Sequence, residues 1–334
     1  MSTVVIIGAG AMGSVYAGLM QDAGHDVHGV CLWPDHVEAV TRNGLRVIGA
    51  SGDRRVRLAS MSMSAEGIEV QPDLLIIATK SFDVEEAARS ALPLVGPHTV
   101  VQTIQNGLGA PQRVAAIIGE ERLAIGVVGG FGASVPEPGT AHHNGMEMIR
   151  FGSYSVLPRA DLESSVDIWR SAGFTAKVFE DTEQMVWEKF IMNVAFSGTT
   201  SATGLTIGEV MANESSWWVA RNCCEEAIAV ARAKGITLES ENPSSMSALW
   251  GRKFPTHARR CFLTRLSIAD ARWTRSMARW SWKVAGSAYR RRSTRLCQTS
   301  SVRGNSPTYS SPSLAATNRI ESFLSWAHWT REAP

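Results

Sequence analysis

Long apolar runs are missing from this sequence. No stretch approaches the roughly 20 apolar residues that a helix needs to cross a bilayer. The chain opens Met-Ser-Thr and enters an apolar run at Val4 without a basic leader. We therefore expect a cytoplasmic protein with no membrane partner. At 334 residues it is long enough for two domains with separate cores.

The sequence contains few cysteines. The five cysteines are Cys31, Cys223, Cys224, Cys261 and Cys297. Their number is odd and no CxxC pair occurs, so the sequence predicts reduced thiols rather than a disulfide framework or a zinc site. The pair His142-His143 stands beside Asn144-Gly145, which indicates a turn rather than a metal site, since adjacent histidines in a strand point to opposite faces. No metal site is predicted.

Acidic residues become rare after Trp250. Residues 1–250 hold 17 Lys and Arg against 28 Asp and Glu, whereas residues 251–334 hold 16 against 3. The two parts are different kinds of sequence. A basic tail rich in Arg, Ser and Trp could bind nucleic acid, but the motifs described below favour another origin.

A glycine-rich turn follows the first predicted strand. Val4–Ile7 is a continuous apolar run, as expected for a parallel strand buried on both faces. It leads into a G-x-G-x-x-G turn and then a helical stretch that stops at Gly24. We expect this turn to hold the pyrophosphate of a nicotinamide dinucleotide at the helix N-terminus. Its residues are Gly8, Ala9, Gly10, Ala11, Met12 and Gly13. The simpler alternative is an ordinary glycine-rich turn.

The end of the second predicted strand, Val27 to about Leu32, does not decide between NAD and NADP. An acidic residue there would hold the ribose diol, and an arginine would hold the 2′-phosphate of NADP. The chain reads Val-Cys-Leu-Trp-Pro at this point, with neither. Asp35, His36 and Arg42 are near in sequence but not at the usual place. The choice stays open.

Two further buried strands end in polar residues. Leu74–Ala78 is followed by Thr79-Lys80, and Thr99–Ile104 is followed by Gln105-Asn106-Gly107. Because ligands lie beyond the carboxyl ends of parallel strands, we expect Lys80 and Asn106 to converge with the glycine turn. Taken singly, they would be a solvated lysine and a plain turn. Leu123–Val128 and Glu147–Phe151 are further strand candidates, with the turn between them at 136–139.

A polar stripe runs along an apolar helix. The segment Glu183–Gly198 is apolar over most of its circumference, which predicts a buried helix. Lys189, Asn193 and Ser197 recur every four residues and so share one side. Burying an unpaired ammonium is costly, so Lys189 should face a carboxylate or a polar cleft. The alternative is a lysine that reaches the surface at the helix edge.

Four motifs, in this order, resemble the ketopantoate reductase family over residues 1–250. They are GAGAMG at Gly8–Gly13, TK at Thr79–Lys80, QNGLG at Gln105–Gly109 and WEKFIMN at Trp187–Asn193. The resemblance implies reduction of the 2-keto acid 2-dehydropantoate by NADPH, in pantothenate and coenzyme A biosynthesis. NADP is accordingly the expected cofactor, with NAD not excluded.

The resemblance also implies roles for individual residues. Lys189 matches the general acid that protonates the forming alkoxide, and Asn106 matches an asparagine between cofactor and substrate. Lys80 matches a lysine near the cofactor, while Asn193 and Ser197 match polar positions on the substrate side. An ammonium beside the carbonyl oxygen suits hydride addition, because negative charge builds up on that oxygen.

The expected fold is α/β, with a Rossmann-like parallel-sheet domain at residues 1–180. A helical substrate domain begins at residues 181–250 and is truncated or scrambled after about residue 250. Residues 251–334 would be a basic, disordered or poorly folded tail. A homodimer is possible, and no nucleic-acid partner is expected.

A reading-frame change explains the tail. Two family segments, like TEIDALNGAVV and LGVPTPVNETL, are missing after Trp250. In one shifted frame the codons across Trp273-Thr274, Met277-Ala278 and Trp282-Lys283 force Asp, Gly and Glu. With permitted bases at the free positions between them, both segments return in order. We place the change between Glu241 and Lys253. We therefore expect this chain to bind NADPH but to reduce 2-dehydropantoate poorly or not at all.

Two other functions remain open at this stage. One is a related reductase that acts on another 2-keto acid or an imine, since the missing domain would build part of the substrate pocket. The other is a catalytically inactive dinucleotide-binding protein, including a regulator whose tail binds nucleic acid.

Overall fold

The computed structural model describes residues 1–130, 132–145 and 148–240. The predicted basic tail, the proposed frame change and residues 241–250 of the predicted helical domain lie outside these residues. The described part confirms the α/β class and the order of a parallel-rich sheet followed by helices.

Twelve strands occur in the described residues, in two sheets. In chain order they are β1 (Thr3–Ile7), β2 (Asp26–Val30), β3 (Leu45–Gly49), β4 (Arg54–Val56), β5 (Ser60–Ser62), β6 (Leu74–Ile77), β7 (Val100–Thr103), β8 (Leu123–Gly129), β9 (Gly132–Glu137), β10 (Thr140–Gly145), β11 (Met148–Ser153) and β12 (Ala176–Val178). The main sheet has the order β12-β11-β8-β7-β6-β1-β2-β5. Its strand pairs are parallel except β11 with β8.

Eight α-helices occur in the same residues. They are α1 (Ala11–Asp22), α2 (Pro34–Asn43), α3 (Val84–Ala91), α4 (Ala110–Ile118), α5 (Arg159–Ser171), α6 (Thr182–Thr203), α7 (Ile207–Ala212) and α8 (Glu214–Ala233). Apolar residues of α1 and α5 pack on one face of the main sheet, and those of α3 and α4 pack on the other. This double covering is why β6 and β7 are buried along their whole length.

Helix α1 lies between the main sheet and the small sheet, whose order is β4-β3-β10-β9. Its residues from Gly13 to Met20 are all buried. A surface helix would show one buried stripe, so burial all round reflects sheets on two sides. At Gly18 a Cβ would overlap the side chain of Val47 in β3, so the small sheet depends on glycine at this position.

The small sheet corrects two expectations. The sequence predicts a turn at 136–139 that directly joins the two strands seen as β8 and β11. This turn instead joins β9 to β10, at Pro138-Gly139. The pair His142-His143 lies within β10 and not in a turn. Strand β10 pairs in parallel with β3, about a hundred residues earlier in the chain, and this long-range pairing overrides the local turn signal of Asn144-Gly145.

Helices α6, α7 and α8 share a third apolar core. The predicted helix at Glu183–Gly198 extends from Thr182 to Thr203 in the structure. The Asp181 carboxylate caps its N-terminus by accepting the Gln184 N–H, and Gly204 ends it in a left-handed conformation. Among the described helices, none is both long and apolar enough to cross a bilayer.

A buried histidine connects the glycine turn to the small sheet. The Ser14 hydroxyl donates to the carbonyl of Ala9 at 2.9 Å, and His36 Nε2 lies 3.0 Å from the same hydroxyl. His36 Nδ1 accepts the Gly139 N–H at 3.0 Å, so the neutral ring carries its proton on Nε2. The imidazole is fully buried, and that burial lowers the pKa of His36.

We expect the stability of the fold at acid pH to depend on His36. The pKa of His36 is lowered in the folded state, so the unfolded state takes up this proton first as the pH falls. The contribution of His36 is therefore complete above about pH 6.5 and is lost progressively below it. We expect the free energy of unfolding to fall more steeply with acidification in the native protein than in His36→Gln, measured by urea unfolding.

The matched control is His98→Gln, which changes an exposed histidine. That variant should keep the pH dependence of the native protein. An equal slope for the native protein and His36→Gln would show that His36 does not set the acid response.

Candidate active site

The carboxyl ends of β1, β6 and β7 form one edge of the main sheet. Strand order reverses at β1, since β2 lies on one side of it and β6 on the other. In open α/β sheets the crevice at such a reversal is where ligands bind. The glycine turn follows β1, Thr79-Lys80 follows β6, and Gln105-Asn106 follows β7. The structure thus brings the predicted segments to the same edge.

Each glycine of the turn has a distinct geometry. Gly8 has a φ of 102°, and a Cβ there would lie 2.6 Å from the backbone nitrogen of Thr79. A Cβ on Gly13 would overlap the Gly8 carbonyl, which is the close packing of helix on strand that the motif predicts. At Gly10 a Cβ would meet nothing within 4 Å, so the backbone there faces open space.

The turn suits a phosphate. The N–H groups of Gly8 and Ala9 donate to the Val30 carbonyl at 2.9 and 2.8 Å, which ties the turn to the end of β2. Helix α1 begins at Ala11, and its first N–H groups have no carbonyl one turn earlier in the helix to bond. The first turn carries no acidic residue. These donors and the positive end of the helix dipole fit a pyrophosphate.

Gln105 connects the two loops that flank this edge. Its Nε2 donates to the carbonyl of Ile77 at 2.8 Å and to that of Thr79 at 3.1 Å. One side chain therefore fixes the end of β7 to the end of β6, and with it the residues next in sequence, Lys80 and Asn106. Sequence reasoning assigned no role to Gln105, and its only signal was its place beside Asn106-Gly107.

A cleft of about 270 Å³ lies between the loop after β7 and helix α6. Its polar lining includes Gln105 and Asn106 from the loop, and Glu183 and Lys189 from the helix. Lys189 is half-buried, so it faces a polar cleft, as the sequence pattern predicts. The apolar part of the lining comes from β8, with Ile125, Val127 and Val128, and from Val186 and Trp187 of α6.

The other predicted site residues stand apart from this cleft. Asn193 and Ser197 are partly buried one and two turns beyond Lys189, and they are not among its lining residues. The glycine turn and Lys80 do not line it either, although they share the edge of the sheet. The cleft therefore unites Asn106 with Lys189, and the glycine turn lies next to it across β6.

Glu188 adjoins Lys189 in the sequence and was missed by sequence reasoning. Its carboxylate accepts the backbone N–H of Glu239 at 3.0 Å, and burial raises the pKa of Glu188. It thus fixes α6 to the segment after α8. No sequence signal separates this buried carboxylate from an ordinary surface glutamate.

Comparison with known proteins agrees with this geometry. The family model described as ketopantoate reductase PanE/ApbA matches residues 4–155. The model for the C-terminal part of the same family matches residues 181–289, which extends past the quoted motifs and past Trp250.

Individual relatives give the same result. The 2-dehydropantoate 2-reductase of Pyrococcus abyssi is 30% identical over 236 residues, which cover 71% of this chain and 76% of the relative. The structure of 2-dehydropantoate 2-reductase from Geobacter metallireducens has a TM-score of 0.69 at 29% identity, covering 75% of this chain and 83% of that one.

D-mandelate dehydrogenase in complex with NADH has a TM-score of 0.70 at 20% identity, covering 80% of this chain and 85% of that one, and shows the shared fold alone. The two family models together span most of the chain, and the Pyrococcus relative matches more than two thirds of it. This protein is an oxidoreductase that belongs to the ketopantoate reductase family.

Proposed function

We propose that this protein's reaction is the reduction of 2-dehydropantoate to pantoate, a step of pantothenate and coenzyme A biosynthesis. The single observation that carries the proposal is that Asn106 and Lys189 line one cleft beside the phosphate-binding edge. The relatives named 2-dehydropantoate 2-reductase support it. The resemblance implies NADPH as the donor, and the proposal holds equally with NADH.

The glycine turn would hold the pyrophosphate of the cofactor. Lys80 and Asn106 would contact other parts of the same cofactor. When bound, the cofactor supplies the hydride. Lys189 places a positive charge at the cleft, where it would stabilise negative charge on the substrate's carbonyl oxygen and then give that oxygen a proton. Asn106 offers an amide to orient the keto acid between cofactor and lysine.

Asn193 and Ser197 are proposed to bind the substrate from further along α6. Their spacing from Lys189 puts them on the same side of the helix. Residues 1–180 would then carry the cofactor, and residues 181–250 would begin the substrate domain. A homodimer, a cytoplasmic location and the lack of a nucleic-acid partner stay predictions.

We also propose that a lost base between codons 241 and 253 has changed the reading frame of this chain. The support is the forced Asp, Gly and Glu of the shifted frame together with the abrupt change in charge after Trp250. The activity of the chain as it stands would be impaired, because the shifted frame contains the missing family segments.

Removing the lysine tests its role as general acid. We expect Lys189→Ala to lower kcat by roughly 100-fold or more, because the alkoxide loses both its counter-charge and its proton donor. The dissociation constant of the reduced dinucleotide should barely change. Steady-state kinetics and fluorescence titration of the same preparations measure the two quantities.

Lys177→Ala is the control, since Lys177 is exposed on β12 and does not line the cleft. It should match the native protein in both measurements. Unchanged turnover in Lys189→Ala would reject the proposed role.

Replacing Gln105 tests the connection between the loops. Gln105→Leu keeps the volume but removes both donors to the Ile77 and Thr79 carbonyls. We expect dinucleotide binding to weaken by up to about 30-fold, because two hydrogen bonds worth about 1 kcal/mol each are lost. Gln71→Leu makes the same change at an exposed glutamine that does not line the cleft and should have little effect. Equal effects of the two substitutions would contradict the connecting role.

Restoring the frame tests the damaged tail. Inserting one base between codons 241 and 253 should yield a chain that reduces 2-dehydropantoate rapidly, whereas the present chain should be slow or inactive. Both should bind the dinucleotide. Assaying other 2-keto acids and imines beside 2-dehydropantoate would identify a related reductase. Full turnover by the present chain would refute the proposed damage.

A further inference from the structure

The end of β2 is the place where a dinucleotide fold distinguishes NAD from NADP. A carboxylate there binds the free ribose hydroxyls, and an arginine nearby binds the 2′-phosphate. The Gly8 and Ala9 N–H groups both donate to the carbonyl of Val30, the last residue of β2. The residues after Val30 therefore lie directly beside the turn proposed to hold the pyrophosphate. Any preference of this site for one dinucleotide presupposes the proposed function.

The three residues after Val30 are neutral. Cys31 is buried, its N–H donates to the Ser62 carbonyl at 2.9 Å, and burial raises the pKa of its thiol. Leu32 is 79% exposed. The Trp33 ring stacks on His36 with centroids 5.5 Å apart and an interplanar angle of 17°. The apolar surfaces of leucine and indole suit an adenosine. A 2′-phosphate placed against them would lose favourable hydration.

Acidic residues adjoin this edge. Helix α2 starts at Pro34, just beyond these three residues, and carries Asp35 in its first turn. Strand β5 runs parallel to β2, and Glu66 lies four residues beyond its carboxyl end. Both side chains are exposed. Their charge would repel the 2′-phosphate, which is itself close to doubly negative.

The arginines of the described segment 25–66, and His36, either lie away from the carboxyl end of β2 or are already bonded to other groups. Arg57 precedes β5 and so stands at the amino edge of the sheet. Arg42 pairs with Glu38, and both His36 nitrogens are occupied by Ser14 and Gly139.

The other three arginines of this segment bond to acidic side chains or backbone carbonyls. Arg46 binds Asp53, Arg54 binds Asp22, and Arg55 binds the Asn43 and Gly44 carbonyls. Lys80 follows β6, which is separated from β2 by β1.

We infer that this chain does not select for the 2′-phosphate: it binds NADH at least as tightly as NADPH, and Leu32 is the residue that sets this preference. In this respect it departs from the NADPH dependence that the family resemblance implies. The adenosine end of the site binds a ribose without a 2′-phosphate. The glycine turn binds the pyrophosphate that both cofactors share.

Direct binding tests the inference without relying on turnover. The full chain is titrated calorimetrically with NADH and NADPH, and with AMP and adenosine 2′,5′-bisphosphate, which differ only in the 2′-phosphate. We expect NADH to bind at least as tightly as NADPH, and AMP at least as tightly as the bisphosphate.

The variant Leu32→Arg should tighten binding of NADPH and the bisphosphate about tenfold, since a guanidinium forms a charge-assisted hydrogen bond to the 2′-phosphate. Binding of NADH should stay nearly the same, and the gain for NADPH should shrink as salt is added. Leu92→Arg introduces the same charge at another exposed leucine, remote from this edge, and should leave the ratio of the two dissociation constants unchanged.

The outcomes separate this inference from the proposed function. If the native chain binds NADPH tenfold or more tightly than NADH, the inference is overturned and the proposed function stands. If Leu32→Arg leaves the ratio as in the native chain, Leu32 does not set the preference. If neither dinucleotide binds saturably, the proposed cofactor site fails and the inference fails with it.

Discussion

The site depends on one close backbone contact, between Gly13 of α1 and the Gly8 carbonyl at the end of β1. Only glycine leaves room for it, and it lets the helix start directly above the carboxyl edge of the sheet. Because α1 lies so close to β1, its first N–H groups face the crevice between β1 and β6. The small sheet then covers the outer side of α1, where Gly18 allows a second close approach.

Local patterns in the sequence predict the main sheet and its edge. Apolar runs identify β1 and β6, the mixed segment Thr99–Ile104 identifies β7, and the polar residues after these strands identify the loops that meet. Apolar coverage with a polar stripe likewise identifies α6 and singles out Lys189. These features are readable because each depends on residues that are neighbours in the chain.

The small sheet and the connections across the site could not be predicted in this way. Strand β10 joins β3 from about a hundred residues away, and nothing in its Thr-Ala-His-His pattern specifies that partner. The bonds from Gln105 to the end of β6 and from Glu188 to Glu239 also link distant segments. Their residue types are common on protein surfaces, so only the fold distinguishes them. The family resemblance supplied the roles of Asn106 and Lys189, and their shared cleft is a property of the fold.

The contact between Gly8 and Thr79 has a further consequence for how ligands arrive. Because the backbones of Gly8 and Thr79 lie in close contact, the loop after β6 cannot move toward the glycine turn without displacing it. Gln105 fixes the loop after β7 to the loop after β6 through its bond to the Thr79 carbonyl. A site that is preorganised in this way loses little conformational entropy on association, so more of the contact energy is retained as affinity.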